Sequence, residues 1–278
     1  MNKRADGRLL QLRRQFSTGG KRQLRALQMS RFRWLFDLPV RLFLGRNLKA
    51  LATVYSSDKW NTHWYAQHYE AHFRSLRKKR LTVLEIGIGG YDDPKLGGGS
   101  LRMWRAWFPK ARIYGIDIAD KSAHAERRIS IHQGSQTNTA FLRSVVEKTG
   151  RPDLIIDDGS HRNIDVIGTF RFLFPLLADD GYYVVEDTQT SYWPDGSVSE
   201  RNNPATTMGF FKSLVDGLNW EEYFGEYEPN EFDLQITAIF FYHNLVIIRK
   251  GDNREGSNNR LWHAGAEGWV RSPELQNR

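Results

Sequence analysis

From Leu81 to Lys250 the chain alternates short, β-rich apolar runs with stretches of helical periodicity, and the runs lead into a glycine or a carboxylate. That rhythm is the pattern of βα units around a parallel sheet. Thr82–Ile86, Arg112–Asp117, Ile129–His132, Asp153–Asp157 and Tyr182–Glu186 read as strands. Between them Ser100–Phe108, Thr139–Thr149 and Asp165–Leu177 read as crossover helices, with Ser100 and Asp165 as expected N-caps. A further helix, Pro204–Leu218, leads into Leu234–Tyr242 and Leu245–Lys250, two runs joined at His243-Asn244 as a hairpin. The expected fold is α/β: a seven-stranded, mostly parallel sheet with an antiparallel C-terminal hairpin and helices on both faces.

Charge divides the chain before and after this pattern begins. The whole has a net charge of +8, yet residues 1–50 hold 13 Lys or Arg against Asp6 and Asp37. The remaining residues hold 27 bases and 30 acids, a net of −3. The body is mildly acidic, which removes most support for a nucleic-acid-binding reading of the whole protein. We therefore expect a basic, partly helical arm over 1–55, a catalytic domain over 56–250 and a polar tail over 251–278. Residues 31–50 mix Arg with Trp, Phe and Leu, and two readings stay open for them: peripheral contact with a membrane surface, or a helix docked on the body or on a second subunit in a homo-oligomer. No apolar run is long enough to span a bilayer and no signal-peptide core follows the charged start, so a cytoplasmic location, peripheral at the inner membrane face if the arm binds lipid, is expected. Zero cysteines exclude disulfides, thiol nucleophiles and thiolate metal sites.

The first strand runs into Glu85-Ile86-Gly87-Ile88-Gly89-Gly90-Tyr91. Such glycines let a backbone turn sharply and approach a ligand. A dinucleotide fingerprint would need glycine where Asp92 stands, and a phosphate loop would need a Gly-Lys-Ser/Thr that is absent. Asp117 ends the second strand, beside that turn in an open α/β sheet, where a carboxylate accepts ribose hydroxyls. The pair indicates an adenosine-like ligand and leaves NAD(P) and S-adenosylmethionine both open.

The fourth strand ends in Asp157-Asp158-Gly159-Ser160-His161 and the fifth in Glu186-Asp187. On adjacent strands these carboxylates crowd one mouth, which is unfavourable unless protons or a cation neutralise them. Oxygen donors favour a hard ion, Mg²⁺ or else Mn²⁺ or Ca²⁺. Histidine titrates near neutrality, and beside a cation His161 becomes a candidate general base. Tyr192 and Trp193 read equally as a sugar platform or as ordinary loop packing.

The runs LEIGIGGYDDPKLGGGSLRMW, YGIDIADKS, IIDDGSH, YYVVEDTQTSYWP and ITAIFFYHNLVIIRKG resemble the metal-dependent sugar O-methyltransferases among the Rossmann-like class I S-adenosylmethionine enzymes, including macrolide-sugar methyltransferases of the mycinamicin VI and macrocin types. The likeness covers roughly Ser57 to Lys250. It implies S-adenosylmethionine and Mg²⁺ as cofactors and a saccharide-containing acceptor, with no nucleic acid partner. It implies Asp158, Glu186 and Asp187 as metal ligands and His161 as the catalytic base. For the cofactor pocket it implies Glu85, Gly87, Gly89, Tyr91 and Asp117, with Asp157 and the adenine-side pair Ser135 and Gln136. The segment SSDKWNTHWYAQHYEAHF resembles a cofactor-covering segment usually written with a Thr-Asp-Lys-Gly core, from which Trp60 departs. The alternatives are a metal-dependent hydroxylase of the wider superfamily and a cofactor-binding partner without catalysis.

Overall fold

The computed structural model describes residues 33–193, 200–223 and 226–257. The first 32 residues of the basic arm and the tail beyond 257 therefore lie outside the described residues. In chain order the elements are α1 (Arg33–Leu44), α2 (Leu48–Val54), α3 (Ala66–Phe73), β1 (Thr82–Ile86), α4 (Gly99–Trp107), β2 (Arg112–Asp117), β3 (Ile129–Gln133), α5 (Thr139–Thr149), β4 (Leu154–Asp157), α6 (Asn163–Leu173), β5 (Tyr182–Glu186), α7 (Thr207–Ser213), α8 (Glu231–Gln235), β6 (Ile236–Tyr242) and β7 (Leu245–Lys250).

The seven strands form one sheet in the order β3-β2-β1-β4-β5-β7-β6. β1 to β5 are parallel, and β7 pairs antiparallel with both β5 and β6, as the sequence pattern predicts. The chain winds outward from β1 through β2 to β3, then returns to place β4 on the other side of β1. That reversal opens a crevice at the carboxyl ends of β1 and β4, the place where open α/β sheets take ligands.

Strand alternation sends successive side chains to opposite faces. Val83, Ile113, Leu154, Ile156 and Val184 join a core with Leu51, Tyr69, Phe73, Trp104 and Trp107 from α2, α3 and α4. Leu84, Ile86, Ile155, Tyr183 and Val185 join a second core with Leu142, Val145, Phe170 and Phe211 from α5, α6 and α7. Helices thus cover both faces.

Local chemistry moves several element ends away from their expected positions. Helix α4 is capped by Gly98 rather than Ser100: Gly98 is left-handed (φ 70°), and a Cβ there would meet the His124 ring. Helix α6 begins after Arg162, leaving Asp165 in its first turn, where a carboxylate suits the helix dipole and accepts from Ser160 Oγ at 2.9 Å. The Pro204–Leu218 expectation divides into α7, capped by the Thr206 hydroxyl on Gly209 N, and a 3₁₀ segment, Asp216–Glu222. Strand β6 starts at Ile236 because Asn230 and Asp233 form a reciprocal capping box that starts α8.

The folded body also extends past both expected boundaries. Leu48, Leu51 and Tyr55 are buried in the first core, and Asn253 Nδ2 donates to Asp233 O at 2.8 Å. Helix α1 docks on the body through Phe36, Val40 and Leu44, with Asp37 ion-paired to Arg105 and accepting from the Tyr55 hydroxyl at 2.8 Å. Among the described residues no helix is long and apolar enough to cross a membrane.

Candidate active site

A cleft of about 720 Å³ lies over the crevice at the sheet's carboxyl edge. Its β1–β2 side is built from the glycine turn and Asp117. Gly87 has φ 86°, and a Cβ there would run into the Asp158 backbone carbonyl, so only glycine lets the β1 turn pass this close to the β4 turn. Asp117 Oδ2 accepts from Ile88 N and Oδ1 from Ala119 N, both at 2.9 Å. These two amides fix the carboxylate against the turn before any ligand arrives.

The outer arm of that turn is fastened from behind. Buried Lys121 Nζ donates to Asp93 O at 2.7 Å, and His124 Nε2 lies 3.1 Å from Leu96 O. Arg102 reaches both His124 Nδ1 (3.2 Å) and Glu126 (3.0 Å), and Arg105 joins Glu126 at 2.5 Å and the α1 residue Asp37. A continuous set of ion pairs and hydrogen bonds therefore runs from α1 to the loop that carries Gly89, Gly90 and Tyr91.

On the β4–β5 side, alternation decides which acids meet. Glu85, Asp158 and Glu186 follow Val83, Ile156 and Val184 onto the α2–α4 face, whereas Asp157 points with Ile155 to the other. Lys59, fully buried, answers the three: its Nζ is 2.7 Å from Glu186 Oε1, 2.9 Å from Asp158 Oδ2 and 3.3 Å from Glu85 Oε1. Burial works against the Lys59 charge, but Asp158, Glu186 and Glu85 outweigh it and hold its pKa well above the ordinary value. The Tyr69 hydroxyl also donates to Glu186 Oε1, and burial followed by the Glu186 charge keeps that phenol protonated. Burial raises Glu85 to about 7 despite Lys59, and raises the Asp158 and Glu186 carboxyls as well.

Asp187 sits at the mouth. Tyr65 Oη donates to its Oδ1 at 2.6 Å; His63 Nδ1 lies 3.6 Å from Oδ1, and His161 Nε2 3.8 Å from Oδ2. His161 is also 3.9 Å from Asp158 Oδ1. Both Asp187 (φ 55°) and His161 (φ 57°) hold left-handed backbones, a conformation that costs non-glycine residues about 1–3 kcal/mol and concentrates at functional sites. Among the described residues, Asp158, His161 and Asp187 form the group whose ligand atoms lie within 4.8 Å of one another.

The expected residues divide accordingly. Gly87, Gly89, Tyr91, Asp117, Ser135, Gln136, Asp158, His161 and Asp187 line the cleft. Glu85, Asp157 and Glu186 do not; they are buried behind its wall. Asp157 accepts from Gln136 Nε2 and Tyr183 Oη, both at 3.3 Å, and burial raises its carboxyl to about 7. The Gln136 amide is also spent internally: Nε2 reaches Thr169 Oγ1 and Oε1 accepts from Ser160 N at 2.7 Å. Gln136 thus braces the β3 and β4 turns while lining the cleft. Ser135 Oγ is 2.8 Å from Thr137 Oγ1. Lys59, His63, Tyr65 and Tyr69 were unforeseen as partners of the acids, although all four come from the segment likened to a cofactor cover. Trp60, the departure from its glycine, packs edge-on to Trp64 with Lys49 Nζ above its ring at 4.5 Å.

The donor set fits a hard divalent cation. Three acids, Glu85, Asp158 and Glu186, share one buried ammonium, and Asp187 adds further negative charge at the mouth beside an imidazole. Asp158 and Asp187 offer two carboxylates beside His161, and His63, a second imidazole, stands on the far oxygen of Asp187.

No family profile matches the chain. It is 44% identical over 220 residues to 8-demethyl-8-alpha-L-rhamnosyl tetracenomycin-C 2'-O-methyltransferase of Streptomyces olivaceus, covering 78% of this chain and 58% of that protein. It is 41% identical over 215 residues to mycinamicin VI 2''-O-methyltransferase of Micromonospora griseorubida, covering 76% and 54%. The solved structure of MycE methyltransferase from the mycinamycin pathway in complex with Mg, SAH and mycinamycin VI superposes with TM-score 0.74 at 40% identity, over 82% of this chain and 57% of that one. The chain spans a little over half the length of these relatives.

Proposed function

With kinship to the sugar O-methyltransferases of glycosylated natural products as premise, we propose that this chain methylates a hydroxyl of a saccharide-containing acceptor, using S-adenosylmethionine and Mg²⁺. One observation carries the reading: a common cleft holds the glycine turn and Asp117 at one side and Asp158, His161 and Asp187 at the other.

S-adenosylmethionine supplies a methyl group on a positively charged sulfur, and Mg²⁺ supplies a charge that acidifies and orients an acceptor hydroxyl. Asp158 and Asp187 are the residues we assign to the ion, with Glu186 behind them as the third. Lys59 and Tyr69 hold Glu186, and Tyr65 holds Asp187, so these carboxylates are oriented in advance. Asp117 accepts the ribose hydroxyls, and Gly87 lets the ligand approach the backbone. His161 Nε2 takes the hydroxyl proton as the new carbon–oxygen bond forms and the carbon–sulfur bond breaks.

For the acceptor we infer a sugar borne on a glycan, a glycolipid or a natural product. Tyr192 and Trp193 are exposed just past Asp187, where aromatic faces would pack against a sugar ring. Transfer of label from methyl-labelled S-adenosylmethionine to a panel of rhamnosylated and deoxysugar-bearing acceptors, with and without chelator, tests the reading. Label should reach a saccharide hydroxyl and disappear with chelation; transfer to aglycones alone would replace the acceptor class.

A further inference from the structure

Helix α1 is apolar on two sides, and among the described residues only one is covered. Phe36, Val40 and Leu44 meet the core, while the Asp37–Arg105 ion pair fixes the helix's rotation about its axis. The side this leaves outward carries Leu38, Leu42 and Phe43, which are 52%, 72% and 84% exposed. Leu38 and Leu42 are one turn apart, as are Pro39 and Phe43, so they form one patch. Arg41 and Arg46 are exposed at its borders. A helix apolar all round is normally buried all round.

Charge selects what covers it. The 32 residues leading into α1 contain nine Lys or Arg and a single acid, Asp6. Pairing this face with a second copy would bring two such basic segments together, a like-charge arrangement. An anionic surface meets the arginines and the preceding basic run at once, while accepting Leu42 and Phe43 by shallow insertion. We propose that the outward face of α1 is a docking surface for anionic lipid, with Leu38, Leu42 and Phe43 entering the headgroup boundary and Arg41 and Arg46 meeting the headgroups. The sequence left membrane contact and docking on the body as alternatives; the helix has one face for each. Methyl transfer plays no part in this contact, so it stands or falls separately from the proposed reaction.

Vesicle flotation of the full chain tests it, with no cofactor or acceptor present. Vesicles of phosphatidylcholine alone are compared with vesicles containing phosphatidylglycerol, at low and at physiological salt. Wild type should float with the anionic vesicles only, less so as salt rises. L42E/F43E should bind about tenfold more weakly or worse while keeping the wild-type melting temperature, because both side chains are exposed. R41E/R46E should weaken binding in proportion to headgroup charge. No flotation at low salt, or undiminished binding by L42E/F43E, would overturn the proposal. So would a concentration-dependent dimer that L42E/F43E abolishes, or a DNA oligonucleotide bound where anionic vesicles are not.

Discussion

The ammonium of Lys59 lies 2.7 Å from Glu186 Oε1, and neither side chain reaches solvent. The contact joins the segment before β1 to the carboxyl end of β5 and orients an acid assigned to the metal edge. Removing one partner of such a pair leaves uncompensated buried charge. Lys59→Met should therefore lower stability by about 3–5 kcal/mol in urea unfolding. Lys59→Met combined with Glu186→Gln should recover part of that loss, since one of the three acids facing Lys59 is then neutral while Asp158 and Glu85 keep the rest of the cost; two strictly additive losses would show that the residues are not coupled.

Gly87 separates backbone demands from side-chain chemistry. Its positive φ and the Asp158 carbonyl against its missing Cβ predict that Gly87→Ala costs more than ~1–3 kcal/mol, because the β1 and β4 turns must part. Calorimetry with S-adenosylhomocysteine should show an affinity loss of about tenfold or more in the variant. Wild-type affinity would mean the turn does not contact the cofactor.

Buried and exposed ion pairs should part company. Arg105 bridges Asp37 on α1 and buried Glu126, whereas Arg249 meets Asp180 at 3.0 Å with both side chains exposed. Arg105→Met should destabilise by about 3–5 kcal/mol, and Arg249→Ala by less than about 1 kcal/mol. Thermal melts of both variants check this, and similar shifts would contradict it.

The central strands β1, β4 and β5 were legible because burial on both faces writes near-continuous apolar runs, and β1 to β5 appear within a residue of their expected bounds. The ends of α4 and α6 were not: glycine caps depend on φ, which Gly98 does not announce. The capping box at Asn230 was in the sequence as Asn-x-x-Asp, but the apolar run behind it read as strand. For the site, the acids and His161 were visible at strand ends. The sorting of those acids was also available, since period-two alternation puts Glu85, Asp158 and Glu186 on one face and Asp157 on the other. Three acids on a buried face require a cation, and that requirement pointed to a lysine as readily as to a metal. What sequence could not supply was the tertiary contact: nothing local tells that Lys59 crosses to β5, or that Gln136 turns its amide to Ser160 and Asp157.

If His161 takes a proton at the carboxylate edge without helping to hold the cofactor, rate and cofactor affinity separate when it is replaced. Single-turnover methyl transfer by His161→Ala, with cofactor affinity measured by calorimetry on the same preparation, tests it most directly. The rate should fall by about 10²-fold or more, with S-adenosylhomocysteine and Mg²⁺ bound as in wild type. Transfer at the wild-type rate, or a loss explained entirely by weaker cofactor binding, would contradict it.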